Sequence, residues 1–86
     1  MKAIGATLTP YEGAGYYSPE GEADRQALNT WIRTSGEYDG VVDFDKAVRD
    51  PAAPTKMLPA YDVGDHLHPN ADGFKAMAAA FNLMQL

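Results

Sequence analysis

Both histidines of the chain lie in one short segment, together with two aspartates. The segment runs from Asp62 to His68 and includes Asp65 and His66. Histidine is the side chain most used for proton transfer near neutral pH, because its imidazole titrates there. An aspartate can orient one ring nitrogen and leave the other free to act as a base. Asp65 and His68 have a spacing that suits this arrangement, so we predict that they form an acid–base pair.

Two other interpretations of this segment remain open from spacing alone. In the first, Asp65 caps a turn and His68 flanks the helix that follows. In the second, the segment binds a divalent metal ion. Zinc sites commonly use three or more ligands, often from separate elements, and the rest of the chain has no further histidine and no cysteine. We therefore expect no metal and no cofactor, although four side chains are suitable ligands by type: Asp62, Asp65, His66 and His68.

A glycine-rich loop near the start of the chain is rich in aromatic side chains. Its tyrosines either line a substrate cleft or cover the edge of a sheet, and we expect the second. Two arginines of the following helix, Arg25 and Arg33, are expected to be solvated. The aromatic loop contains Tyr11, Glu12, Tyr16 and Tyr17.

The elements that must position these residues alternate along the chain. Residues 2–8 and 40–44 are short apolar runs typical of strands, and residues 19–34 and 70–83 have helical periodicity. Residues 45–65 contain three prolines and are expected to form an irregular connection with at most one helical turn. The order strand, helix, strand, helix predicts a parallel sheet with helices packed on its faces.

Each predicted helix has an apolar stripe that is expected to face the core. Trp31 is the largest side chain of the first stripe, and we expect it to anchor the core rather than to stack on a ligand. The stripes are Ala23, Ala27, Leu28, Trp31 and Ile32 in the first helix, and Phe74, Met77, Ala78 and Phe81 in the second.

Length and composition limit the possible functions. The chain has 86 residues, no cysteine and a formal net charge of −5. Such a chain is a poor candidate for binding nucleic acid or anionic membranes, and no apolar run is long enough to span a bilayer. Two strands are too few for a stable sheet. We therefore predict that residues 1–86 form a single, partial domain.

The segment that holds both histidines resembles the last conserved block of the SGNH hydrolases, also called GDSL esterases or lipases. The resembling run is Gly-Asp-His-Leu-His-Pro-Asn-Ala-Asp-Gly-Phe-Lys-Ala-Met-Ala, residues 64–78. Residues 4–10, 25–33 and 42–48 resemble the same family in the same order. The resemblance therefore extends over nearly the whole chain.

The resemblance implies the fold and the chemistry of that family. The expected fold class is α/β, as the C-terminal part of a flavodoxin-like three-layer α/β/α sandwich with parallel strands. His68 matches the catalytic base of a Ser-His-Asp triad, and Asp65 matches the acid that orients it. The expected function is carboxylic ester hydrolysis.

Three blocks of the family are missing from this sequence. These are the Gly-Asp-Ser block of the nucleophile, the glycine block and the Gly-x-Asn-Asp block that complete the oxyanion hole. Ser18 and Ser35 do not follow Gly-Asp, and Asn29 and Asn70 are not in a Gly-x-Asn-Asp context. We therefore expect the chain to be inactive alone and to need an N-terminal half as its partner. The alternative is a non-enzymatic remnant that oligomerises through its open sheet edge.

Overall fold

The computed structural model describes residues 2–83, so residues 1 and 84–86 of the predicted domain lie outside the described residues. The elements are β1 (Ile4–Ala6), α1 (Pro19–Thr34), β2 (Gly40–Val42), α2 (Phe44–Val48), β3 (Arg49–Asp50), β4 (Ala53–Met57), a 3₁₀ turn (Pro59–Tyr61) and α3 (Ala71–Asn82). No helix among the described residues is both long and apolar enough to cross a membrane.

The first three elements form a β-α-β unit, as the sequence predicts. β1 pairs with β2 in parallel, with Gly5 opposite Val41, and α1 is the connection between them. The Ser18 hydroxyl accepts a hydrogen bond from the Gly21 N–H and Pro19 occupies the first turn, which explains why α1 begins there. Gly36, with φ of 75°, follows the end of the helix.

Residues 45–65 are more ordered than the sequence indicates. Asp43 caps the start of α2, because its carboxylate accepts a hydrogen bond from the Lys46 N–H. β3 and β4 then form an antiparallel pair with an irregular register, joined by a turn that contains Pro51. The prediction of an irregular connection is therefore wrong. β3 has only two residues and β4 contains a proline, so neither has the sequence pattern by which strands are recognised.

The α/β class is confirmed, and the finer architecture is not. The described residues contain one parallel and one antiparallel strand pair, so a three-layer sandwich with parallel strands stays a prediction. β1 is not covered on both faces, because Ile4 and Ala6 are exposed and only Gly5 is buried.

The buried face of α1 is mainly polar, which corrects two predictions. Its buried residues are Glu22, Arg25, Asn29 and Ile32. Trp31 is 48% exposed and packs edge-on against Tyr38, so it does not anchor the core. Arg25 is only 4% exposed, so the prediction that it is solvated is wrong. The face of α1 that carries Leu28 and Trp31 is left open among the described residues.

Asp45 at the start of α2 explains why Arg25 is buried. One carboxylate oxygen accepts a hydrogen bond from Arg25 at 2.7 Å, and the other accepts from Arg33 at 2.8 Å and Arg49 at 3.0 Å. The Asp45 side chain is 1% exposed. A buried carboxylate needs such partners, so α1 turns its cations rather than its apolar stripe toward α2.

The apolar stripe predicted for α3 is also wrong. Phe74 and Phe81 are 58% and 48% exposed, and Ala78 is exposed as well. The residue that α3 buries is Gly73, where a Cβ would lie 2.7 Å from the Tyr61 carbonyl oxygen. The close approach of that carbonyl requires glycine here.

Candidate active site

The two histidines lie on a closed loop between the 3₁₀ turn and α3. A β-bridge joins Asp62 to Pro69, and the Val63 N–H donates to the His68 carbonyl at 3.1 Å. Asn70 then caps α3 by accepting a hydrogen bond from the Gly73 N–H. Its own N–H donates to the Tyr61 carbonyl at 2.7 Å. The loop is therefore closed at its base and continues directly into the helix.

Asp65 and His68 are brought together within this loop. Asp65 Oδ2 lies 2.5 Å from Nδ1 of His68. Asp65 Oδ1 accepts hydrogen bonds from the N–H groups of Leu67 and His68, both at 2.9 Å. The hydrogen bonds from the His68 ring and from these two backbone groups hold the pKa of Asp65 well below its usual range. Asp65 is therefore a carboxylate that fixes one ring nitrogen of His68.

The other ring nitrogen of His68, Nε2, is free to do chemistry. The His68 side chain is 69% exposed. An ionised acceptor at Nδ1 favours the tautomer with its proton there, and this leaves a lone pair on Nε2. The geometry is that of an oriented general base. The catalytic role of the two residues remains a prediction.

A second aspartate–histidine pair overlaps the first in sequence. Asp62 Oδ2 lies 2.8 Å from Nδ1 of His66. Asp62 Oδ1 accepts hydrogen bonds from the N–H groups of Gly64 at 2.8 Å and His66 at 3.1 Å. Partial burial alone would raise the pKa of Asp62, but these hydrogen bonds outweigh it and lower the pKa. From the sequence, Asp62 and His66 are predicted only as possible metal ligands, although their four-residue spacing also suits a pair.

The metal interpretation depends on a cluster that the loop does not form. Each aspartate is paired with its own histidine, Asp62 with His66 and Asp65 with His68. Within residues 2–83, no group of three or more histidine, aspartate or glutamate side chains is arranged to hold a metal ion.

The tyrosine loop and the loop that carries both histidines border one groove. The groove has a volume of about 380 Å³ and is bordered by Leu67, the residue between the two histidines. Tyr11 and Tyr16 line it, with ring centroids 5.5 Å apart. The expectation that the tyrosines cover the sheet edge is therefore incomplete, since two of them face a cleft. Leu8 and Leu28 complete its apolar lining.

Ser18, Ser35 and Asn29 have structural partners. Ser18 caps α1, and the Ser35 hydroxyl accepts a hydrogen bond from the Glu37 N–H. The Asn29 amide binds both backbone groups of Leu8, with its Oδ1 accepting at 2.7 Å and its Nδ2 donating at 2.9 Å. These contacts give Ser18, Ser35 and Asn29 structural roles, and none of the contacts is that of a nucleophile or an oxyanion donor.

Comparison with protein families matches residues 1–81 to one described as GDSL-like Lipase/Acylhydrolase. The chain belongs to this family. The match spans β1 through most of α3, and so includes the loop with both aspartate–histidine pairs. Membership of the GDSL-like family confirms the resemblance read from the sequence. No curated protein matches the chain.

Proposed function

We propose that the chain supplies the acid and the base of a carboxylic ester hydrolase. The observation that carries this proposal is the 2.5 Å contact between Asp65 Oδ2 and His68 Nδ1. Leu67, which directly precedes the base in sequence, borders the apolar groove, and this contact supports the groove as the binding place of the ester. Family membership supports the same chemistry.

The proposed reaction needs a serine from outside these 86 residues, carried by a Gly-Asp-Ser block. Nε2 of His68 removes the serine proton as the hydroxyl attacks the ester carbonyl, and then protonates the leaving alcohol. Water, deprotonated by the same nitrogen, releases the acid. Asp65 stabilises the imidazolium in both steps. The chain alone lacks this covalent route, so we expect it to show no saturable esterase activity.

Complementation tests the proposal. The chain is mixed with an N-terminal segment of a GDSL-family esterase that carries the Gly-Asp-Ser, glycine and Gly-x-Asn-Asp blocks. Hydrolysis of p-nitrophenyl acetate is expected only in the mixture. Asp65→Asn is expected to lower kcat about 10⁴-fold, because the wrong His68 tautomer then faces the serine. His68→Ala is expected to lower kcat at least as much, because it removes the base.

Asp50→Asn is the matched control, because Asp50 is a carboxylate that accepts a hydrogen bond from the Ala52 N–H and is paired with neither Asp65 nor His68. Its kcat is expected to stay within twofold of the unsubstituted chain. Saturable hydrolysis by the chain alone that survives loss of both Ser18 and Ser35 contradicts the proposed mechanism. Full activity of the His68→Ala mixture contradicts the proposed base.

A second candidate function is a non-enzymatic module that associates with itself. Among the described residues β1 pairs with β2 alone, which leaves one of its edges open, and open edges favour pairing with another chain. Two large apolar side chains are also exposed, Ile4 on β1 and Trp31 on α1. Sedimentation velocity tests this candidate, since a folded monomer at every concentration rules it out.

A further inference from the structure

His66 has an unusual backbone conformation at the centre of the active-site loop. Its φ is 63°, and it is the one non-glycine residue with positive φ among the described residues. Side chains disfavour this left-handed conformation. His66 directly follows Asp65 and lies two residues before His68. The turn that joins the acid to the base therefore depends on a conformation that other contacts must maintain.

Asp62 provides the first of these contacts. Its carboxylate binds both the N–H of His66, at 3.1 Å, and Nδ1 of the same residue, at 2.8 Å. The Asp62 side chain is 8% exposed. Because one nearly buried carboxylate holds both the backbone and the ring of His66, it limits rotation at that residue.

Gly13 provides the second contact, from the loop that follows β1. A Cβ at Gly13 would lie 2.9 Å from Cγ of His66, so the imidazole rests directly against the glycine backbone. That loop is itself anchored, because the Glu12 N–H donates to the Thr55 carbonyl at 3.2 Å. The His66 ring is therefore held between Asp62 and a separate segment of the chain.

We propose that His66 is a positioning residue, which holds the turn that presents the Asp65 carboxylate to Nδ1 of His68. The Asp65 carboxylate accepts three hydrogen bonds, and all come from the two residues after His66. If the backbone of His66 rotated into the right-handed region, the chain between the Asp65 carboxylate and its donors on Leu67 and His68 would change direction. The catalytic value of this role rests on the proposed function, whereas the positioning itself does not.

Nitrogen-15 NMR of the His68 ring in the isolated chain tests the proposal. In mildly alkaline solution, where imidazole is neutral, the ratio of Nδ1–H to Nε2–H tautomers reports the bond to Asp65. His66→Asn removes the ring, while asparagine tolerates positive φ. We expect the tautomer ratio to fall about fivefold, which is the effect of losing one hydrogen bond of ordinary strength.

Three substitutions complete the test. Asp62→Ala removes the acceptor that holds His66 and is expected to lower the ratio by a similar factor. Asp62→Asn keeps an oxygen for the backbone N–H groups and gains an N–H that can donate to Nδ1 of a neutral His66 ring, so it is expected to change the ratio less than twofold. Asp50→Asn alters a carboxylate that borders the same cavity as Asp62 and His66, and is expected to leave the ratio unchanged.

A folded His66→Asn chain with the unsubstituted tautomer ratio overturns the proposal. If His66→Asn does not fold, the comparison of Asp62→Ala with Asp62→Asn decides, and equal ratios in these two variants overturn it. The readout needs no turnover. If the ratio is unchanged in His66→Asn and the unsubstituted chain is active in complementation, the positioning role alone is refuted. If the ratio is reduced in His66→Asn and the unsubstituted chain is inactive in complementation, the proposed function alone is refuted.

Discussion

At the scale of single residues, Asp43 shows how the network under α1 depends on charge. Its carboxylate accepts two hydrogen bonds from Arg33, both at 2.9 Å, and one from the Thr7 hydroxyl at 2.9 Å. Partial burial alone would raise the pKa of Asp43. The Arg33 guanidinium, the Lys46 N–H and the Thr7 hydroxyl outweigh that effect and lower the pKa to about 2.

This lowered pKa predicts acid sensitivity. A carboxyl group whose pKa is lower in the folded state stabilises the fold above its unfolded pKa of about 3.9, and this contribution is lost as pH falls toward the folded value. We expect the free energy of unfolding to lose about 1 kcal/mol through Asp43 between about pH 5 and pH 2, after allowance for its partial exposure.

Urea unfolding of the unsubstituted chain and of Asp43→Asn, each at both pH values, measures this loss. The difference between their pH dependences isolates Asp43 from the other carboxyl groups. Asp24→Asn is the control, since Asp24 is exposed on α1 and is expected to leave the pH dependence unchanged. Parallel pH profiles for the unsubstituted chain and Asp43→Asn would refute the assignment.

Residue types and spacing predict the candidate site better than they predict burial. Asp65 and His68 are three residues apart in sequence, so a local turn is enough to join them. Arg25 and Asp45 are twenty residues apart, and no pattern in either segment signals that they meet. Periodicity alone assigns the apolar stripe of α1 to the core. The distant pairing of Arg25 with Asp45 buries a polar face of α1 instead.

At the scale of elements, Asn70 connects the loop that carries both histidines to α3. Its Oδ1 accepts a hydrogen bond from the Gly73 N–H at 2.9 Å, and its Nδ2 donates to the Ala60 carbonyl at 2.9 Å. One side chain thus begins the helix and also binds the 3₁₀ turn on the other side of the loop.

Two substitutions separate these roles. Asn70→Ala removes both contacts and is expected to reduce the free energy of unfolding by about 2 kcal/mol, since the cap and the tether contribute about 1 kcal/mol each. Asn70→Asp keeps an oxygen for the cap and removes the donor, so we expect a loss of about 1 kcal/mol. Urea unfolding at neutral pH measures both. Equal losses would show that only one of the two contacts stabilises the loop.

The helices with clear end signals are the elements that sequence predicts well. Ser18 with Pro19 and Asn70 with Pro69 mark the starts of α1 and α3, and the structure places both helices there. The β3–β4 pair has no such signal, because it is held by backbone pairing between two short segments. Its register depends on the rest of the fold, which local sequence does not contain.

At the scale of the whole molecule, the described chain leaves a set of apolar side chains uncovered on β1 and α1. Proteins rarely expose contiguous apolar surface without a binding partner, and Trp31 in contact with Tyr38 extends this surface toward β1, since a Cβ at Gly5 would touch the Tyr38 ring. The exposed residues are Ile4, Leu8, Leu28 and Trp31.

We expect this surface to be covered when the chain binds an N-terminal segment of a GDSL-family esterase. Trp31 is the single tryptophan of the chain, so quenching of its fluorescence by acrylamide reports on the surface and should decrease in the mixture.

Leu28→Glu is expected to weaken binding about tenfold, because burying one leucine contributes about 1.5 kcal/mol or more. Phe74→Glu on α3 is the matched control, since Phe74 is similarly exposed but lies outside this surface. Equal weakening by the two variants would indicate that charge alone opposes association. Protection of Trp31 that rises with concentration of the chain alone would instead favour self-association through the same surface.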